Sequence, residues 1–115
     1  MTALRFTPLT LTNGLTFKNR LVVPPMASQT ADLNGLATET TINHYHHLAQ
    51  SGAGLVMVEY SHVNLAGRSE SNQLGAHDDA CLPGLSQIAT TLHNAGVKTG
   101  LQITHCGGKD SAGIS

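Results

Sequence analysis

The chain has 115 residues, of which 40% are hydrophobic, 11% charged and 3% aromatic, and its formal net charge is −1. That length holds one domain at most, and so neutral a balance leaves no electrostatic footprint for nucleic acid or an anionic membrane surface. The apolar runs fall far short of the ~20 residues needed to span a bilayer, and Met1-Thr2-Ala3-Leu4-Arg5 lacks the apolar centre of a secretory signal.

Leu9 to Phe17 alternates around Asn13-Gly14, a pattern that predicts a hairpin with a two-residue type I′ turn. Leu21-Val22-Val23 then reads as a short buried strand, stopped by Pro24-Pro25. Ala27 to Ala37 reads as a loop with a turn at Asn34-Gly35. Thr38 is a plausible N-cap with Glu39 in the first turn, and Ile42, Tyr45, Leu48 and Ala49 fall on one helical face. Gly52 and Gly54 end that helix, and a second apolar strand, Leu55-Val56-Met57-Val58, runs to Glu59-Tyr60-Ser61. Ser61 to Asp79 is expected to be a long polar loop, and such loops are often functional. Pro83 suits the start of a second helix with a stripe of Leu85, Ile88, Ala89 and Leu92. Gly96 closes it, and a third strand through Leu101-Gln102-Ile103-Thr104 leads to His105-Cys106-Gly107-Gly108.

The order is βαβαβ, an α/β pattern with its unusual residues gathered after the strand ends. In parallel α/β proteins ligands bind at that edge. Three parallel strands leave edges unpaired, so the chain is expected to be the front of a larger protein; a barrel of eight such units takes about 250 residues.

No P-loop, GxGxxG or GxSxG motif is present, and Gly52-Ala53-Gly54 precedes a strand rather than following one. Pro25, Met26 and Ala27 either turn the chain and nothing more, or offer a rigid, unobstructed backbone against which a flat aromatic cofactor could lie. Gln102 is expected to be buried between Leu101 and Ile103, where its amide must find either neighbouring backbone or a heterocycle with donors and acceptors. His105 could bond a cofactor edge or the next loop, and Cys106 reads as a packing residue. Cys81 and Cys106 fit no metal or redox spacing, which predicts free thiols in a reducing cytoplasm. His44 and His47 stand three apart on a helix but read as solvated surface histidines. Glu59 is open between an acid–base role and an ion pair with Arg68.

Lys18-Asn19-Arg20, Pro25-Met26, Gly67-Arg68, Gln102 and His105 together resemble the N-terminal part of the Old Yellow Enzyme family, from Phe6 to Lys109. The resemblance implies the N-terminal part of a (β/α)8 TIM barrel: a bottom-closing β-hairpin plus the first three βα units, with 1–115 a fragment of one FMN-binding domain. It also implies an ene-reductase in which NAD(P)H reduces FMN and the flavin passes hydride to an activated alkene such as an enone. Pro25, Met26 and Ala27 would line the flavin, Gln102 would bond its pyrimidine ring, and the backbone at Tyr60 would approach the C4 carbonyl. The implied partner is a small-molecule substrate, with a homo-oligomer of the full-length protein left possible.

Three residues depart from the family pattern. Ala27 replaces a Thr or Cys that bonds the flavin carbonyl, which predicts a lowered flavin potential. Tyr60 is bulkier than the usual residue, and Gly107-Gly108-Lys109 replaces Ala-Gly-Arg. The family's substrate-binding His pair, proton-donating Tyr and phosphate site lie beyond the third strand, so no catalytic residue is assigned. The alternatives are a barrel hydrolase or lyase using a histidine-bound metal, and a truncated, non-catalytic fragment.

Overall fold

Asn13-Gly14 does turn the chain, but by a different route from the one expected. In the computed structural model, which describes residues 3–109, β1 (Leu9–Thr10) and β2 (Thr16–Phe17) pair antiparallel. Leu11 N donates to Leu15 O and Gly14 N to Leu11 O. Gly14 alone takes a left-handed conformation, at φ 89°. A type I′ turn would require Asn13 there too. Instead the Asn13 Oδ1 accepts from Leu15 N at 3.0 Å, which suits a three-residue loop closed by a glycine bulge.

β3 (Val22–Val23), β4 (Leu55–His62) and β5 (Lys98–Thr104) form a parallel sheet in that order. Between them lie α1 (Glu39–Ala49) and α2 (Leu82–Asn94), which complete two βαβ units. The register aligns Val23 with Val56 and Val56 with Thr99. α1 starts where its cap predicts: the Thr38 hydroxyl accepts from Thr41 N, and Thr38 N donates back to the Thr41 hydroxyl at 3.1 Å. The reciprocal pair satisfies two of the donors that every helix start leaves open.

Both helices lie on one face of the sheet. Val56 and Val58 of β4 meet Tyr45 and Ala49 of α1 and Ile88 and Leu92 of α2 in a single buried cluster. Burying an Ile or Leu side chain contributes about 1.5–3 kcal/mol. Among the described residues the opposite face is uncovered. Val22, expected to be buried, is 54% exposed, and Ile103 is 65% exposed, because each sits on an edge strand of an open sheet.

The segment after β4 is less loop-like than its composition suggests. β4 continues to His62, and both Ser61 and His62 are fully buried. The chain makes a 3-10 turn at Leu65–Gly67 and returns so that Gly75 bridges His62 in parallel. Buried Gln73 and Leu74 anchor this excursion.

Candidate functional site

The site is built at the carboxyl ends of β3, β4 and β5. Beyond the Val58–Leu101 pair the register shifts, and the next pair is Ser61 with Ile103. Glu59 and Tyr60 therefore oppose Gln102 alone, a β-bulge of the kind that re-aims side chains beside active sites. The bulge sends Glu59 toward α1, where its carboxylate reaches Tyr45, and returns Ser61 to the buried side with Val58.

Gln102 lies on the uncovered face. A Cβ on Gly100 would meet the Met57 sulfur at 2.7 Å, so Met57 and Gly100 share that face, and Gln102 is two residues further along β5. Its amide is exposed rather than buried, contrary to expectation, because no element covers this side of the sheet among the described residues. Met26 is 51% exposed, Ala27 is exposed and Pro25 half-buried. Tyr60 is half-buried. Burial first, then the Glu70 carboxylate, pushes its phenol above the ordinary value, so it stays protonated at neutral pH. Pro25, Met26, Ala27, Tyr60 and Gln102 thus all follow or occupy the carboxyl ends of neighbouring parallel strands.

Glu59 does not pair with Arg68, whose guanidinium donates instead to Leu33 O at 3.0 Å and ties the β4 excursion to the preceding loop. The Glu59 carboxylate is 1% exposed. It accepts from the Tyr45 hydroxyl at 2.9 Å, from Ser28 N at 3.2 Å and from Ser28 Oγ at 3.1 Å. Tyr45 in turn accepts from Glu59 N at 2.8 Å, and burial holds its phenol above the ordinary value, so it remains a donor. By spacing alone Tyr45 is one more member of an apolar stripe. A buried tyrosine hydroxyl needs a partner, and that requirement was the available signal for the pair.

His105 serves the next loop. Its Nδ1 accepts from Gly107 N at 2.8 Å, and Cys106 N donates to Gly67 O at 2.8 Å. The ring lies so close to Gly67 that any Cβ there would run into it. Among the described residues, no three His, Cys, Asp or Glu side chains converge to hold a metal ion.

Comparison with known proteins places this geometry. Residues 5–113 match the NADH:flavin oxidoreductase / NADH oxidase family. An NADH:flavin oxidoreductase of Gibberella zeae is 37% identical over 106 residues, which cover 92% of this chain and 25% of that protein. The chain thus spans about a quarter of that relative's length. A variant of NCR from Zymomonas mobilis superposes with TM-score 0.79 at 26% identity, covering 91% of this chain and 33% of its own. Old Yellow Enzyme from Pichia sp. superposes with TM-score 0.80 at 22% identity, covering 89% and 26% respectively. The strands and helices described above are those of the N-terminal part of a (β/α)8 barrel, and the chain belongs to the NADH:flavin oxidoreductase / NADH oxidase family.

Proposed function

We propose that residues 1–115 form the front of a single FMN-binding barrel domain in an oxidoreductase of the Old Yellow Enzyme type. In this reading hydride passes from NAD(P)H through the flavin to an activated alkene, such as an α,β-unsaturated carbonyl. The observation that carries the reading is the bulge: it sets Tyr60 directly across from Gln102, at the strand ends where the Pro25–Ala27 segment also lies.

The residues suit the group. A planar heterocycle with donors and acceptors along one edge matches an exposed amide, which offers both. Pro25, Met26 and Ala27 would line the ring, Gln102 would bond its pyrimidine edge, and the main chain at Tyr60 would approach the C4 carbonyl. FMN supplies the two-electron carrier when bound, and the chain's part is to bind and orient it. The partner is a small-molecule substrate. A cytoplasmic setting suits two unpaired cysteines, Cys81 and Cys106. Among the described residues no helix is long and apolar enough to cross a membrane.

The visible spectrum of the protein in its full natural length tests the reading. A bound flavin that NAD(P)H bleaches and an enone re-oxidises is expected; a colourless protein unresponsive to added FMN would overturn it. Gln102→Leu, which keeps the size and removes the hydrogen-bonding edge, should weaken FMN binding about tenfold, read by flavin fluorescence.

A further inference from the structure

We infer that Glu59 is a positioning residue, whose buried carboxylate holds the Pro25–Ala27 main chain in place by gripping Ser28. The inference rests on the flavin reading above for what that segment faces, but the grip itself is geometric.

β3 is too short to hold the segment by sheet pairing. Its ladder with β4 stops at Val23 and Val56, and Pro24 and Pro25 have no N–H with which to extend it. Beyond the prolines, both Ser28 N and Ser28 Oγ donate to the Glu59 carboxylate, one to each oxygen. Ser28 directly follows Ala27. The carboxylate therefore does for this stretch what the ladder does for β3, fastening it to β4 one residue past the proposed flavin contact.

The grip is braced from behind. Tyr45 donates to the same oxygen that takes Ser28 N and accepts from Glu59 N, so α1 fixes the carboxylate at the bulge. Ser28 Oγ also lies 2.8 Å from Thr30 Oγ1, which donates to Thr41 Oγ1 at 2.7 Å inside the α1 cap. With the Ser28 proton on Glu59 and the Thr30 proton on Thr41, the Ser28–Thr30 contact is a close approach that sets the segment against the α1 cap. A carboxylate buried to 1% exposure is costly unless its oxygens are bonded, and two of its three donors belong to Ser28.

The test compares Glu59→Gln and Ser28→Ala with Val97→Ala in the full natural protein. Val97 is buried just before β5, at the end of the sheet away from the site, so its truncation lowers stability without touching the segment. Glu59→Gln preserves shape, but whichever way its amide turns, one carboxylate oxygen is replaced by a donor. Two quantities are read: amide hydrogen exchange at Ser28 in flavin-free protein, and the FMN dissociation constant. Both site variants should bind FMN about tenfold more weakly and lose Ser28 protection, directly where the Glu59→Gln amide NH2 faces Ser28 N, and through loosening where it faces Ser28 Oγ or where that hydroxyl is removed in Ser28→Ala. Val97→Ala should melt lower while both readings stay as in the parent. If Glu59→Gln does not fold, Ser28→Ala alone decides. Parent-like FMN binding in the folded site variants, or losses no larger than those of Val97→Ala, would overturn the positioning role. A parent protein that takes up no FMN would instead overturn the functional reading, with Ser28 exchange still reporting on the grip.

Discussion

Ala27 is the residue at which the proposed flavin chemistry is most exposed to a single methyl group. An alanine side chain donates nothing, so a flavin carbonyl beside it would lack a side-chain partner to stabilise the reduced, more anionic ring. Ala27→Thr or Ala27→Cys should raise the two-electron midpoint potential by on the order of 20 mV, the equivalent of about 1 kcal/mol of hydrogen bonding. Spectroelectrochemical titration measures it, and an unmoved midpoint refutes the assignment. His62 carries a second residue-scale expectation. Its ring is fully buried, packed against Gly35 and Gly75 and tilted against His77 at 4.7 Å between centroids. Among the described residues neither ring nitrogen has a hydrogen-bond partner. Burial first, then His77 and Arg68, lowers its pKa below the ordinary 6.5. The unfolded chain therefore takes up a proton that the folded one refuses. Stability should be complete above about pH 6.5 and fall as pH drops toward the lowered folded value, then level off. Chemical denaturation across that range should show a shallower slope in His62→Leu, which does not titrate. Neither histidine was legible in the sequence as a pair, because the bridge between His62 and Gly75 that brings His77 alongside is a tertiary fact.

At the scale of elements, local chemistry was readable and edges were not. The Thr38 cap, the stripes of both helices and the glycine stops follow from spacing alone, and each recurs in the structure. Thr38→Ala should cost about 1 kcal/mol and lower the melting temperature by on the order of 5 °C, measured by far-ultraviolet circular dichroism. A variant melting with the parent would show that Thr41 alone suffices at the helix start. The hairpin was readable as a turn but not as a turn type, since Asn13 tolerates both conformations and only its side-chain bond to Leu15 N decides. The bulge was invisible for a similar reason. Leu55 to Val58 reads as a strand ending at Glu59-Tyr60-Ser61, and which partner residue each position meets is set by β5, not by β4 itself. That is also why Glu59 could be read only as an isolated charge.

For the whole molecule, the parallel sheet with its helices on one face agrees with the barrel front that the family resemblance implied, and the uncovered face explains the misjudged burials. Val22 and Gln102 were expected inside; they and Ile103 lie on a face or edge that nothing among the described residues covers. Hydrophobic residues in that setting make an adhesive surface, most of all along an unpaired strand. The 115-residue polypeptide expressed alone should therefore bind a hydrophobic dye and elute above monomer size. Ile103→Lys, which puts a charge on the β5 edge, should shift it toward monomer. Elution of the parent as a clean monomer would count against an open face.

The extra residue at the tip of β4 also sets the in-and-out parity of everything after it. Val58 and Ser61 are an odd number of steps apart yet both point inward, which an unbroken pleat forbids. Deleting the Glu59 codon would restore the simple alternation with Ser61 still opposite Ile103 and still inward, so the strand beyond it would keep its facing. What would go is the surplus inward link, and with it the carboxylate that the broken pleat aims at α1.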